Sequence, residues 1–443
     1  MKAIAASIAL FVVALCPVVA QSQKPIALVG GTLIDGTGAV PVRNSVVLIR
    51  GARIERVGTV GSLPVPGEYE HVSTEGMTVL PGLWDLHVHL IYNGHPNPGA
   101  WFKHVDDFER VTIPASARQM LMGGVTSVRD MAAPADAIFG VKRRIASGEL
   151  MGSMIYAAGP ALAKMASGAP APTAQFLAIA DAVDARAKTR QLLDRGADVI
   201  KMFFSERMSP EERSAIITEA HARGKKVAMH GQNDAEVRLG LQIGIDDFQH
   251  IGVDSPEYAP DIMTALRERV KTGPPLYWTP TVGANNLLNG SYTATKPEIV
   301  DDPEAYLGLP PALVAEVKEG WETYKPREPQ PDTEAIVKRK IAQLRDAGVI
   351  LVFGSDEGSA GELARHATWM DADLWVRVLG MDPMMVLQRM TLDAAKVMGA
   401  DRENGSIAVG KYADVIAVGG DPLRHIDVLR DPKVVIKHGR RYK

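Results

Sequence analysis

Cysteine is almost absent: the 443 residues hold one, Cys16. That excludes a disulfide-stapled fold, and it leaves nitrogen and oxygen as the donors for any metal held further along the chain. Charge of one sign is lacking too. With a formal net charge of -3, no basic arm and no acidic tail, the chain carries no electrostatic footprint for nucleic acid. Heptads and short internal repeats are missing, which removes coiled coils and solenoids. Beyond the first residues no apolar run is long enough to span a bilayer, so an integral membrane protein is not expected.

The N-terminus stands apart. "MKAIAASIALFVVALCPVVAQSQ" has Lys2, an apolar stretch, and Val18 and Ala20 at the -3 and -1 positions of a cut after Ala20. Residues 1–20 read as a secretory signal peptide, and the protein is expected to be secreted or periplasmic. Lipidation at Cys16 is the rival reading, but Ala14 and Leu15 make a poor lipobox. Cleavage would remove Cys16 and leave a chain with no thiol.

From Ile26 to Leu80 short β-branched runs alternate with glycine turns, as in "IALVGGTLIDGTG" and "SVVLIRGARIERVG". These are antiparallel strand and hairpin signals. The texture returns in "GSIAVGKYADVIAVGGDPL" and "KVVIKHGRRY", so residues 24–80 and 403–443 are expected to build one small sheet domain. Between them, residues 81–402 alternate strand-like runs with helical patterns: "DLHVHL", "VTSVRD", "SMIYAAGP", "ADVIKMFF", "KVAMHG", "DDFQHIG", "YWTPTV" and "VILVFGSD". Eight βα units predict a (β/α)8 TIM barrel of the α/β class. A doubly wound sheet would want a glycine-rich phosphate fingerprint after the first strand, and "HVHLIYNGHPNPG" is not one.

In such a barrel the C-terminal strand ends converge on the active site. Those ends carry His87 and His89, Lys201, His230, His250 and Asp356. His87 and His89 are two apart in a strand, so both imidazoles face one spot, and histidine is the commonest metal ligand. Lys201 is the difficulty in the set. A protonated ammonium would repel a bound cation, so its neutral amine is favoured. A neutral amine can add carbon dioxide and become a carbamate, whose two oxygens can each hold one metal ion. The alternative is a snorkelling or salt-bridged barrel lysine.

The motifs "GGTLIDGTG", "VLPGLWDLHVHL", "GGVTSVRDM", "GADVIKMF", "HARGKKVAMH", "TPT", "GSD" and "GSIAVGKYADVIAV" occur in the order seen in the amidohydrolase superfamily of metal-dependent hydrolases, which the chain resembles from Ile26 to its C-terminus. The branch it is most similar to holds Xaa-Pro dipeptidases and imidazolonepropionase-like proteins. The resemblance implies a β-sandwich beside the barrel and two divalent metal ions. It assigns His87 and His89 to one ion, His230 and His250 to the other, a carboxylated Lys201 as the bridge, and Asp356 as ligand and catalytic proton shuttle. Zinc is the first expectation, although such ligands also suit manganese, cobalt or nickel. One departure stands out: relatives often carry a glycine- and histidine-rich loop after the third strand, where this chain has "GPALAKMASGAPAPT".

Asp85 is expected to orient a ligand from behind. Arg129, Asp130, Thr279 and Thr281 are candidates for the pocket floor. His71, His221, His366, His425 and His438 are read as surface or packing residues, and His95 and His104 as residues near the mouth. The expected reaction is hydrolysis of a C–N bond in an amide, short peptide or N-acyl amino acid by a hydroxide held between the metals, with a dipeptidase among the candidates. An ester, lactone or phosphotriester, or a cyclic amide of the imidazolone kind, are the alternative substrates. Lys201 argues against a one-metal deaminase. A metal-loaded binding or scaffold protein on an inherited fold is the non-enzyme reading. The partner is a small molecule, and homo-oligomerisation is left open.

Overall fold

The structure is a computed structural model, and it describes residues 24–166, 173–283, 297–325, 331–359 and 362–443. The signal-peptide reading, Cys16 and the cut after Ala20 lie outside the described residues, as does part of the loop after the third barrel strand. No helix among the described residues is long and apolar enough to cross a membrane.

All eight strand-like runs form the expected parallel strands. The first, second and third barrel strands are Leu83–Val88, Val125–Asp130 and Met154–Ala157. The fourth to eighth are Val199–Phe203, Lys226–His230, Asp247–Gln249, Tyr277–Thr279 and Ile350–Leu351. Most of these strands are buried on both faces, which is how a strand enclosed by a ring of helices reads, while Met154–Ala157 alternates half-buried with buried positions. The third strand is split: after Met154–Ala157 the chain resumes as Ala161–Ala163, which pairs in parallel with the fourth strand. A short strand that the periodicity does not predict, Phe176–Ala178, adds to the outer side of that second piece.

Closure comes from the first and eighth strands. Leu86 N donates to Phe353 O at 3.0 Å, Asp356 N to His87 O at 2.8 Å and His89 N to Glu357 O at 2.9 Å. This ladder sets Asp356 level with His87.

The two ends of the chain share a β-sandwich. One sheet runs Arg53–Thr59, Ser45–Arg50, Ile26–Val29, Glu70–Ser73. The other runs Arg440–Arg441, Pro432–Lys437, Val415–Gly419, Met77–Pro81, Thr32–Leu33. Leu28, Val47 and Ile49 pack against Val79, Val415 and Val434 between them. The sheets are not wholly antiparallel as expected: Ile26–Val29 pairs in parallel with Glu70–Ser73, and Thr32–Leu33 with Met77–Pro81. The intervening hairpin occupies the other side of Ile26–Val29, so the returning chain joins its free edge in the same direction. Local turn signals do not encode that non-local choice.

One residue, Gly82, separates Met77–Pro81 from Leu83–Val88. Its amide donates to Asp414 O at 2.8 Å, and a Cβ there would lie 2.2 Å from Thr126 Oγ1. The first barrel strand is thereby held directly by the sandwich.

A second close approach lies beside the strand-end histidines. A Cβ on Gly252 would sit 1.4 Å from the Gln232 carbonyl oxygen, so the segments after the fifth and sixth strands touch backbone to backbone. Gly252→Ala is expected to force them apart at a cost of about 1–3 kcal/mol, the usual range for overpacking. Thermal denaturation followed by circular dichroism should show the lower Tm; an unchanged Tm would mean the contact contributes nothing.

Candidate metal centre

The six residues singled out at strand ends lie on the wall of one cavity of about 260 Å³. His87 Nε2 lies 3.3 Å and His89 Nε2 3.1 Å from Asp356 Oδ1, and His250 Nδ1 lies 3.8 Å from Asp356 Oδ2. The His87 and His250 rings stand 4.7 Å apart between centroids, and His230 lies 4.8 Å from His250. Lys201 is 3 % exposed, and its Nζ has no hydrogen-bond partner.

Burial sets the charge states. It holds His87 and His230 well below the ordinary histidine range and takes His250 down to about 3. Near neutral pH these rings are therefore neutral and keep a lone pair for donation. His89 goes the other way: burial pulls it down, but the hydrogen bond and charge of Asp356 outweigh that and raise it. Asp356 is likewise pushed up by burial and pulled lower by His89, His250 and Lys201, with a net downward shift. Burial lowers Lys201 to about 7.

A divalent cation fits this set. Donor atoms of His87, His250 and Asp356 lie within 4.8 Å of one another, and His89 Nδ1 and Lys201 Nζ are buried without a hydrogen-bond partner. Neutral imidazoles with a carboxylate are the donors that zinc and its neighbours take.

Two site residues depart from strand geometry. His250 has φ +68° and Asp356 has φ +65°, the left-handed region that non-glycine residues rarely occupy. Strict alternation would turn Gln249 and His250 to opposite faces. The left-handed turn lets both face the site.

Gln249 is the residue that sequence reasoning missed. Its Oε1 lies 2.7 Å from His87 Nδ1, so His87 donates from Nδ1 and Nε2 is left with its lone pair toward Asp356. The signal was its place beside His250 in "DDFQHIG", but alternation counted from His250 argued against it. Thr281 Oγ1 stands 2.8 Å from His250 Nδ1 in the same manner. Asp85 acts on backbone instead of a ring: it accepts from His87 N at 3.2 Å and Ser355 N at 3.0 Å, and from the Ser355 and Thr368 hydroxyls at 2.7 and 2.8 Å.

Below the cavity, Arg129 pairs with Asp247 at 2.7 Å and donates to Leu86 O at 2.6 Å and to Thr279 Oγ1 at 3.4 Å. These residues, with Thr279, lie beneath the wall and brace the first, sixth and seventh strands. Asp130 accepts from Leu90 N at 3.0 Å, and burial raises it to about 6. Four of the other histidines are occupied elsewhere: His221 meets Asp246 at 2.8 Å, His366 meets Asp302 at 2.8 Å, His104 meets Glu316 at 3.0 Å, and His95 stacks on Trp101.

Comparison with known proteins gives a consistent set. The Amidohydrolase family matches residues 78–270 and 317–441. The ochratoxinase of Aspergillus niger is 26% identical over 474 residues, spanning 96% of this chain and 88% of that protein. Solved structures that share the fold include the following two. A Xaa-Pro dipeptidase with bound methionine in its active site has TM-score 0.69 and 22% identity, covering 95% of this chain and 100% of that one. A molinate hydrolase has TM-score 0.71 and 23% identity, covering 95% of each.

Gln249→Leu removes the acceptor that orients His87. Divalent-cation affinity, read by competition with a chromogenic chelator, is expected to fall about 10–100-fold, with Gln249→Glu retaining more of it. Unaltered affinity in the leucine variant would show that His87 needs no such partner.

Proposed function

The chain belongs to the amidohydrolase family, and from that premise we propose that it is a binuclear metal-dependent hydrolase of a carbon–nitrogen bond in an amide, short peptide or N-acyl amino acid. The observation that carries this reading is the convergence of four histidines, a lysine and an aspartate on one cavity, with the lysine amine buried and unpartnered.

In this reading His87 and His89 would hold one divalent cation and His230 and His250 the other, with Lys201, as a carbamate, and Asp356 available to both. Cations bound there supply Lewis acidity toward a carbonyl oxygen and lower the pKa of water. The chain's own residues do the rest. Lys201 reaches the bridging state because its amine, lowered to about 7, is substantially neutral at physiological pH; carbon dioxide adds to the nitrogen and a proton leaves. Gln249 and Thr281 hold His87 and His250 in the orientation each needs. Asp356, ionised and within 3.3 Å of two imidazoles, takes the proton of the attacking water and passes it to the departing amine. An amine leaves poorly unless protonated, so this transfer is part of the reaction.

Two variants test the reading. Purified protein should carry about two divalent cations per chain, and Lys201→Ala should lose them with its amidase activity, regaining part of both when a short carboxylic acid is added. Lys201→Arg should not respond to the acid. Full activity in the alanine variant would make the lysine structural.

Asp356→Asn keeps an oxygen of nearly the same shape, so cation content should largely survive while turnover falls by roughly 10²-fold or more. Near-normal amide turnover in this variant would remove Asp356 from the proton transfer.

A further inference from the structure

The wall of the cavity adjoining the histidines differs from them in chemistry. It is built from Tyr92, Pro98, Met131, Phe176 and Phe203. Phe176 and Phe203 are half-buried, with ring centroids 4.8 Å apart, and Phe203 meets the His230 ring edge-on at 4.3 Å. An aromatic surface therefore begins where the donor set ends.

Phe203 is held there by strain. Phe204 stands at φ +51°, a left-handed conformation that is strained for a bulky residue and recurs at ligand clamps. The turn sets the two rings at 87° to each other, and Arg207 covers the Phe204 ring at 4.1 Å. Across the mouth, Tyr92 donates to Gln175 Oε1 at 2.6 Å, tying the segment after the first strand to that after the third.

Cations are scarce on this wall. Among the described lining residues Lys201 is the one lysine, and there is no arginine. Nearby basic groups are engaged elsewhere: Lys164 with Glu212 at 2.6 Å, Arg207 over Phe204, and Arg129 with Asp247 beneath the floor. The polar side chains of the lining outside the His, Lys and Asp set and Tyr92, namely Gln175, Gln232 and Ser359, are neutral. A substrate carboxylate would be desolvated there with no cationic side chain but Lys201 among the described lining residues to pair with, which is costly.

We infer that the substrate is a small neutral amide bearing an aromatic group, which packs on Phe176 and Phe203, and that a free carboxylate is not part of what the site recognises. This rests on the amide-hydrolase reading above. It is narrower than that reading, because a dipeptidase would select for the terminal carboxylate.

The test uses metal-loaded enzyme and a matched set of acyl-glycine and acyl-amino-acid compounds. A benzyl group is placed on the acyl side, on the amine side or on neither, and each compound ends in a carboxamide or a free carboxylate. A parallel set replaces the scissile nitrogen with oxygen, and only cleavage at the acyl bond is scored. The better benzyl carboxamide should exceed its unsubstituted counterpart in kcat/KM by about 10–200-fold, the span a hydrophobic pocket gives, and should exceed its own free acid by at least about tenfold. Phe203→Ala should cut the aromatic preference to within about threefold, and Phe203→Leu should keep part of it, with the fold checked by circular dichroism. Amides cleaved without aromatic preference, or with the free acid favoured, would overturn the inference and leave the amidase reading standing. Esters cleaved with the aromatic, neutral preference while amides resist would overturn the amidase reading and support the aromatic wall. Cleavage of neither set would overturn both.

Discussion

Burial of the Lys201 amine without a hydrogen-bond partner is the constraint on which the site depends. A charged ammonium in that position would be desolvated among imidazoles and would repel any cation brought to them. The same exclusion of water that lowers Lys201 lowers His87, His230 and His250. One physical cause, burial at the top of a closed barrel, thus favours the neutral form of four side chains, an amine and three imidazoles. Asp356 keeps its charge, because the groups facing it favour the anion more than burial penalises it.

That arrangement depends on backbone held to close tolerances. The first strand leaves the sandwich through a single glycine and meets the eighth strand in a ladder that sets Asp356 level with His87. Asp85 clasps the same two strands from behind through backbone amides and hydroxyls. Arg129, buried and paired with Asp247, fastens the first strand to the sixth. The left-handed residues His250 and Asp356 are the places where this scaffold bends the chain out of alternation, and such strain persists only where the surroundings over-determine it. The sandwich contributes no group to the cavity wall; it anchors the strand that carries the His-x-His pair.

Much of this was legible in the residues. The eight strand runs, the β-rich ends and the strand-end positions of His87, His89, Lys201, His230, His250 and Asp356 could be read because they follow from local properties: alternation, β-branched runs, glycine turns and the rule that strand ends face one mouth. The donor set is local in the same sense, since each member sits at the end of its own run. What was not legible is pairwise or non-local: the parallel partners inside the sandwich, the split third strand, and the extra strand Phe176–Ala178.

The sequence by itself determined the fold class, the chemistry of the donors and, through its single cysteine, the exclusion of thiolates. Tertiary structure alone decided that His250 faces the cavity beside Gln249: alternation puts Gln249 on the interior face of Asp247, and a left-handed turn at His250 brings the next side chain to the same side. It also decided that Phe176 and Phe203, 27 positions apart and on different strands, form one wall beside His230. Periodicity assigns a side chain to a face of its own element, whereas which faces meet, and which rings then lie within a few ångströms of a donor, depends on closure of the barrel around them.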